Sequence, residues 1–164
     1  LMLLKDNSSI LIPIDFSKQS IIAAKYTYQL AKLTHCKLIV MHVYKAGAPD
    51  HAADLVKLKE EMETESGLTV ETLNLEGDIY ELTDKKAEEL ECSCIVAGLD
   101  THVRFRSFMG TNQASKFIKD APCPVITIRS ANNQPAIRNI VLPVDLSPES
   151  REKVGIAVQI AKYY

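Results

Sequence analysis

The chain has 164 residues, enough for one full domain and short for two. Apolar residues make up 46%, charged residues 24%, and the formal net charge is −2. That is ordinary for a soluble globular protein, and it lacks the basic bias that would mark nucleic acid as a partner. No apolar run approaches the roughly 18 residues of a membrane span. Leu1-Met2-Leu3-Leu4, followed at once by Lys5 and Asp6, is too short for the core of a signal peptide. The expectation is a cytoplasmic protein with no membrane partner.

In chain order the sequence alternates between two kinds of pattern. Ser9 to Ile14 is a continuous apolar run with one proline and predicts a buried strand. Ser17 suits the cap of a helix reaching about Thr34, with Ile21, Ala24, Tyr28 and Ala31 at helical spacing. Lys37 to Tyr44 is apolar and rich in β-branched residues, a second buried strand. After a turn at 47–50, Ala52 to Glu65 predicts a helix with Leu55, Leu58 and Met62 on one stripe. Leu68 to Leu75 alternates apolar and polar, which suits a strand with one side less covered. Gly77 opens a helix from Asp78 to about Leu90, with Ile79, Leu82 and Leu90 expected on its inner face. Cys94 to Gly98 predicts a short buried strand; a polar loop, a helix from Thr111 to Lys119 and a last strand from Pro124 to Ile128 follow. Such alternation argues for an α/β domain with a parallel sheet and helices on both faces.

The cysteines, Cys36, Cys92, Cys94 and Cys123, lie in apolar segments. Cys92-Ser93-Cys94 is the only close pair. Its single intervening residue is not the usual zinc-ligand spacing, and buried free thiols at the start of a strand are the expectation. His42 reads as a packed strand histidine, and His102 as an exposed loop residue.

After Arg129 comes SANNQPA, a linker by composition, and then the opening unit returns. ILIPIDFS at 10–17 is matched by IVLPVDLS at 140–147, a constant offset of 130. Pro13 aligns with Pro143, Asp15 with Asp145, Ser17 with Ser147, and Gln29, Ala31 and Lys32 with Gln159, Ala161 and Lys162. So long a period indicates a duplicated domain. The expected organisation is one α/β domain at 8–130, a linker at 131–137, and the first strand and helix of a truncated second copy at 138–164. Ile140, Val141, Leu142, Val144, Val154 and Val158 are more apolar surface than one strand and one helix can bury. The unit is therefore expected to dock on the edge of the last strand (124–128), in its own domain or a neighbouring copy, giving a homo-oligomer.

These residues carry a resemblance. The strand ILIPIDFS with its helix, the acidic helix after Gly77, and the stretch AGLDTHVRFRSFMGTNQASKFIKDAPCPVITIR are similar to the universal stress protein family. The resemblance implies a five-stranded parallel sheet in the order 3-2-1-4-5 with helices on both faces, here followed by an extra C-terminal β-α unit. It also implies dimerisation through the last strand and an adenine-nucleotide site. In such a sheet the strand order reverses between the first and fourth strands, and ligands bind beyond the strand C-termini at that point. Asp15 and Gly98 close those two strands. The nucleotide site implied by the resemblance comprises Pro13, Asp15 and Ser17, with Asp15 for the adenosine moiety, and Val43 for the adenine, through its backbone. Gly98, Thr101, Arg104, Gly110, Thr111 and Asn112 fall in the phosphate loop. There, glycines let backbone N–H groups approach phosphates, and a helix N-terminus attracts anions.

Two departures bear on the ligand. Thr101 stands where the family pattern has its second glycine, and the loop is one residue shorter. Both disfavour tight triphosphate binding and leave adenosine or a monophosphate open. The implied cofactor is thus ATP or AMP, with Mg²⁺ only alongside ATP. Charge is distributed unevenly. Residues 51–100 hold fourteen Asp or Glu against four Lys or Arg, whereas residues 101–130 hold five Lys or Arg against one acid. Arg104 and Arg106 either replace lost backbone contacts with charge-assisted ones or are solvated loop residues.

No catalytic set emerges: the chain has no Gly-x-Ser-x-Gly elbow, no P-loop and no Gly-x-Gly-x-x-Gly after the first strand. The lone Asp15 supports at most a slow ATPase. Two functions are expected to compete. One is a non-enzymatic adenine-nucleotide-binding or sensing module in a stress response. The other is a dimerisation or protein-interaction module, with an unidentified protein partner, that has lost nucleotide binding.

Overall fold

From Ser9 to Gly98 each apolar run becomes a strand, and each helically spaced segment a helix. A computed structural model describes residues 5–98, 113–129, 139–145 and 147–163. It comprises β1 (Ser9–Ile14), α1 (Lys18–Thr34), β2 (Lys37–Tyr44), α2 (Ala52–Ser66), β3 (Val70–Glu76), α3 (Ile79–Glu89), β4 (Cys94–Gly98), α4 (Gln113–Asp120), β5 (Val125–Ile128) and α5 (Pro148–Tyr163). The five strands form one sheet in the order β3-β2-β1-β4-β5. Every pairing is parallel, with Ile10 opposite both Leu38 and Cys94. Parallel neighbours need a crossover, which the intervening helices supply.

Strand side chains alternate between two cores, which is why β1, β2 and β4 read as unbroken apolar runs. Ile10, Ile12, Ile14, Leu38, Val40 and Val96 pack with α1 and α2, through Ala23, Ala24, Leu30, Leu55, Leu58 and Met62. Leu11, Ile39, Met41 and Ile95 pack on the other face with Ala87 of α3 and Phe117 of α4. The outer strands β3 and β5 are mostly half-buried.

Caps set the helix limits. Ser17 takes an extended backbone and accepts a hydrogen bond from the Ser20 N–H. Asp78 accepts from the N–H groups of Tyr80 and Glu81, at 2.9 and 3.2 Å. Gly67 ends α2 at φ 70°, with its N–H donating to Glu63. The stripe expected on α2 is buried as read.

Two inner faces differ from expectation. In α1 the fully buried face includes Ser20, Ala23, Ala24, Thr27, Leu30, Ala31 and Thr34, whereas Ile21 and Tyr28 are only half-buried. Small residues let the helix lie close to the sheet, and the Thr27 and Thr34 hydroxyls donate to the Ala24 and Leu30 carbonyls, so their burial leaves no donor unpaired. In α3 the buried positions are Thr83 and Ala87. Leu90 follows the last helical residue, leaves the periodicity and is 39% exposed.

Of the C-terminal unit, the helix forms and the strand does not: residues 139–145 join no strand, since a strand exists only by pairing. Helix α5 lies against α1, with Ile160 on the first core. Val141 is 90% exposed, Val144 59% and Val158 50%.

Candidate functional site

The site begins where β1 leaves β4. The β1–β4 ladder pairs Ile10 with Cys94 and Leu11 with Ile95 and then stops, while β4 continues beside β5 as far as Gly98. Pro13, with no N–H to donate, lies beyond that point, buried and opposite Met41 of β2. The strands thus diverge at the place where the sheet order reverses, which is where such sheets open a crevice.

Asp15 closes β1. Its Oδ1 accepts the Ser17 N–H at 2.9 Å, and Phe16 between them takes the left-handed conformation, φ 59°. Burial, the largest single influence on the Asp15 carboxyl, pushes its pKa up. Hydrogen bonds from the Ser17 hydroxyl and N–H and from the Ser20 hydroxyl together outweigh it and hold the pKa below the ordinary 3.8. The group is therefore an ionised acceptor at neutral pH, fixed to the first turn of α1.

Gly98 meets the same turn. A Cβ built there would lie 2.3 Å from the Gln19 carbonyl oxygen, 2.4 Å from its carbon and 2.6 Å from the Ser20 nitrogen. Real side chains do not approach backbone so closely, so glycine is required by helix packing. Asp15 and Gly98 therefore both lie against the first turn of α1, residues 17–20. The expected reason for this glycine was approach to phosphate; the observed reason is approach to α1.

The other expected residues divide clearly. Ser17 is the cap. Val43 is half-buried, and its side chain packs in the second core with Leu73, Leu75 and Ile79. Thr101, Arg104, Gly110, Thr111 and Asn112, together with His102 and Arg106, lie outside the described residues. His42 is a packed histidine as expected, 7% exposed, with Nδ1 2.8 Å from the Ile14 carbonyl oxygen.

A ring cluster around His42 went unread in the sequence. The Phe16 ring centre is 5.0 Å from that of His42 and 5.2 Å from that of His51, and the two histidines are 5.4 Å apart. The one available signal was a histidine immediately before α2, but its neighbours come from three separate segments.

The repeated motif at 145–150 forms a similar turn. The Ser147 N–H donates to Asp145 Oδ1 at 2.9 Å, and the Ser150 N–H meets Ser147 Oγ at 3.3 Å, against 3.2 Å for Ser20 and Ser17. Ser20 and Ser150 are both buried. The hydroxyls of Ser147 and then Ser150 hold the Asp145 carboxyl well below the usual carboxylate range.

The thiols of Cys92, Cys94 and Cys123 are pushed above the ordinary range, chiefly by burial. Cys92 packs in the second core and Cys94 in the first, so the pair does not share a face; Cys92 precedes β4 rather than belonging to it. Burial first, with neighbouring thiols, pushes Cys92 up to about 12. Burial and the Asp84 carboxylate push Cys123 up to about 11. Among the described residues no group of three or more His, Cys, Asp or Glu could hold a metal ion, and no helix is long and apolar enough to cross a membrane.

Known proteins share this architecture. The model of the universal stress protein family matches residues 7–129. A universal stress protein crystallised in complex with cAMP is 16% identical, with TM-score 0.63, covering 77% of this chain and 100% of that one. A family member from Arabidopsis thaliana with AMP bound is 19% identical, with TM-score 0.54 and coverage of 76% and 93%. The universal stress protein from Archaeoglobus fulgidus in complex with dAMP is 21% identical, with TM-score 0.58 and coverage of 74% and 98%. At these identities the likeness is one of fold. No curated protein matches the chain in sequence. With the family's model matched over three quarters of its length, and the five strands in the order 3-2-1-4-5, this chain belongs to the universal stress protein family.

Proposed function

We propose that the chain binds an adenine nucleotide of the monophosphate class in the crevice between β1 and β4, and that occupancy modulates contacts with other protein surfaces in a stress response. The observation that carries this reading is the ionised Asp15 carboxylate, tied to the capped turn of α1 that Gly98 also meets, near the sheet's switch point. A carboxylate there accepts hydrogen bonds from ribose hydroxyls. Pro13, Ser17 and Val43 complete the adenosine side of the proposed site. Thr101, Arg104, Gly110, Thr111 and Asn112 form its phosphate side. Similar folds crystallised with cAMP, AMP and dAMP support the ligand class. Thr101 in place of a glycine favours a monophosphate over ATP with Mg²⁺. A single carboxylate supplies no hydrolytic machinery, so turnover is at most slow.

Thermal melting tests this. A ligand that binds only the folded state stabilises it by RT ln(1 + [L]/Kd). AMP is expected to raise Tm more than ATP does, and Asp15→Ala is expected to abolish the rise. Unchanged melting at millimolar nucleotide would favour the second reading, an interaction module without nucleotide. The exposed Val141, Val144 and Val158 are the observation on that side.

A further inference from the structure

We propose that His42, His51 and Asn74 hold one divalent transition-metal ion of the zinc class, at the C-terminal ends of β2 and β3 beneath Phe16. A carbonyl oxygen only accepts, so the 2.8 Å contact with Ile14 puts the His42 proton on Nδ1. Nε2 then presents a lone pair, and it is buried with no hydrogen-bond partner. His51 Nδ1 lies 2.8 Å from Asp54 Oδ2, which places its proton in the same way and leaves Nε2 as the second lone pair. Imidazoles anchored through Nδ1 to a carbonyl and to a carboxylate are the outer-shell arrangement of metal-ligating histidines.

The spacing agrees. Two imidazoles bound at ~2.0–2.1 Å to one tetrahedral ion have ring centres ~5 Å apart; here they are 5.4 Å apart. Asn74 stands opposite His42 in the β2–β3 ladder, and in parallel strands opposed residues share a face. Its Oδ1 is also buried and unpartnered. Phe16 covers both histidines with an apolar ring. The His51 side chain is 42% exposed, so an ion has a route in. Two imidazoles, an amide oxygen and water suit zinc-class ions rather than calcium or magnesium, and they form an open, reversible site. The titrations below contain no nucleotide, so the metal reading is tested apart from the nucleotide reading.

The test uses the whole chain, stripped with a chelator and titrated with zinc chloride by calorimetry and with cobalt chloride by visible absorption. One equivalent is expected to bind, with the d–d bands of cobalt in a nitrogen-containing site. His42→Gln and His51→Gln are each expected to weaken binding about tenfold or more, while His35→Gln, at an exposed position, leaves it unchanged. Since His42 is buried, His51→Gln decides the matter: it is expected to keep the native circular dichroism and lose the cobalt bands. No binding at ~100 µM metal overturns the proposal, that concentration being well above the affinity of a built zinc site; so does binding unaltered by His51→Gln.

Discussion

At the residue scale, position 98 tolerates only glycine because the α1 backbone occupies the place of a Cβ. Gly98→Ala forces strand and helix apart, and overpacking of this kind costs about 1–3 kcal/mol. Urea melts are expected to show that loss, and nucleotide-induced stabilisation is expected to weaken with it, because the displaced turn carries Ser17 and Ser20, which hold Asp15. A melt indistinguishable from the parent protein would contradict the close approach. The thiols give a second residue-scale prediction. Raised to about 12 at Cys92 and about 11 at Cys123, they are protonated at neutral pH, and the thiolate is the reactive form. A colorimetric disulfide reagent is expected to label the native protein slowly and all four cysteines after denaturation. Rapid labelling of Cys92 in the native state would show that its burial is not persistent.

At the scale of elements, helices α1 and α2 are tied by polar contacts as well as by the core beneath them. Lys25 Nζ lies 2.7 Å from Glu65 Oε1, and the Tyr28 hydroxyl donates to Glu65 Oε2 at 3.2 Å. The Lys25 hydrogen bond, foremost, lowers the Glu65 pKa from 4.5, against a smaller upward push from burial. A carboxyl with a depressed folded pKa contributes stability that is fully present above its unfolded pKa and is lost as pH falls through the folded value. The contribution is therefore present above about pH 4.5 and lost below it. Both partners are 44% exposed, which limits the pair to about 0–1 kcal/mol. Glu65→Gln is expected to cost no more than that at neutral pH, less in high salt, and almost nothing at pH 3. An effect that grows on acidification would contradict this account. The α1 cap weighs more: Ser17→Ala removes the acceptor for the Ser20 N–H, at about 1 kcal/mol.

At the scale of the whole molecule, two opposed cores are buried between sheet and helices, while the C-terminal unit leaves apolar surface uncovered. Val141, Val144, Val154 and Val158 are all more than 40% exposed. The corresponding residues of β1, Leu11 and Ile14, are buried between the neighbouring strands and helices. Apolar area of this kind favours association. Light scattering is expected to show a concentration-dependent oligomer that Val141→Ser with Val158→Ser dissociates without loss of secondary structure. A strict monomer at all concentrations would sink the expectation.

Much of the fold was legible in the sequence because its causes are local. Strand runs, helical stripes and the cap Ser17 follow from periodicity and from donors needing acceptors within a few residues, and β1, β2 and β4 begin and end where the apolar runs do. The repeat was legible too, and Asp145, Ser147 and Ser150 rebuild the turn of Asp15, Ser17 and Ser20 because every bond in it spans five residues or fewer. The tertiary structure alone decided the rest. It chose the Thr27 side of α1 over Tyr28, since that depends on how near the sheet lies. It explained Gly98 by a helix some eighty residues away in sequence. It assembled Phe16, His42 and His51 from the ends of β1 and β2 and the start of α2. Local pattern specifies which element forms; which side chains meet is determined only when the elements pack.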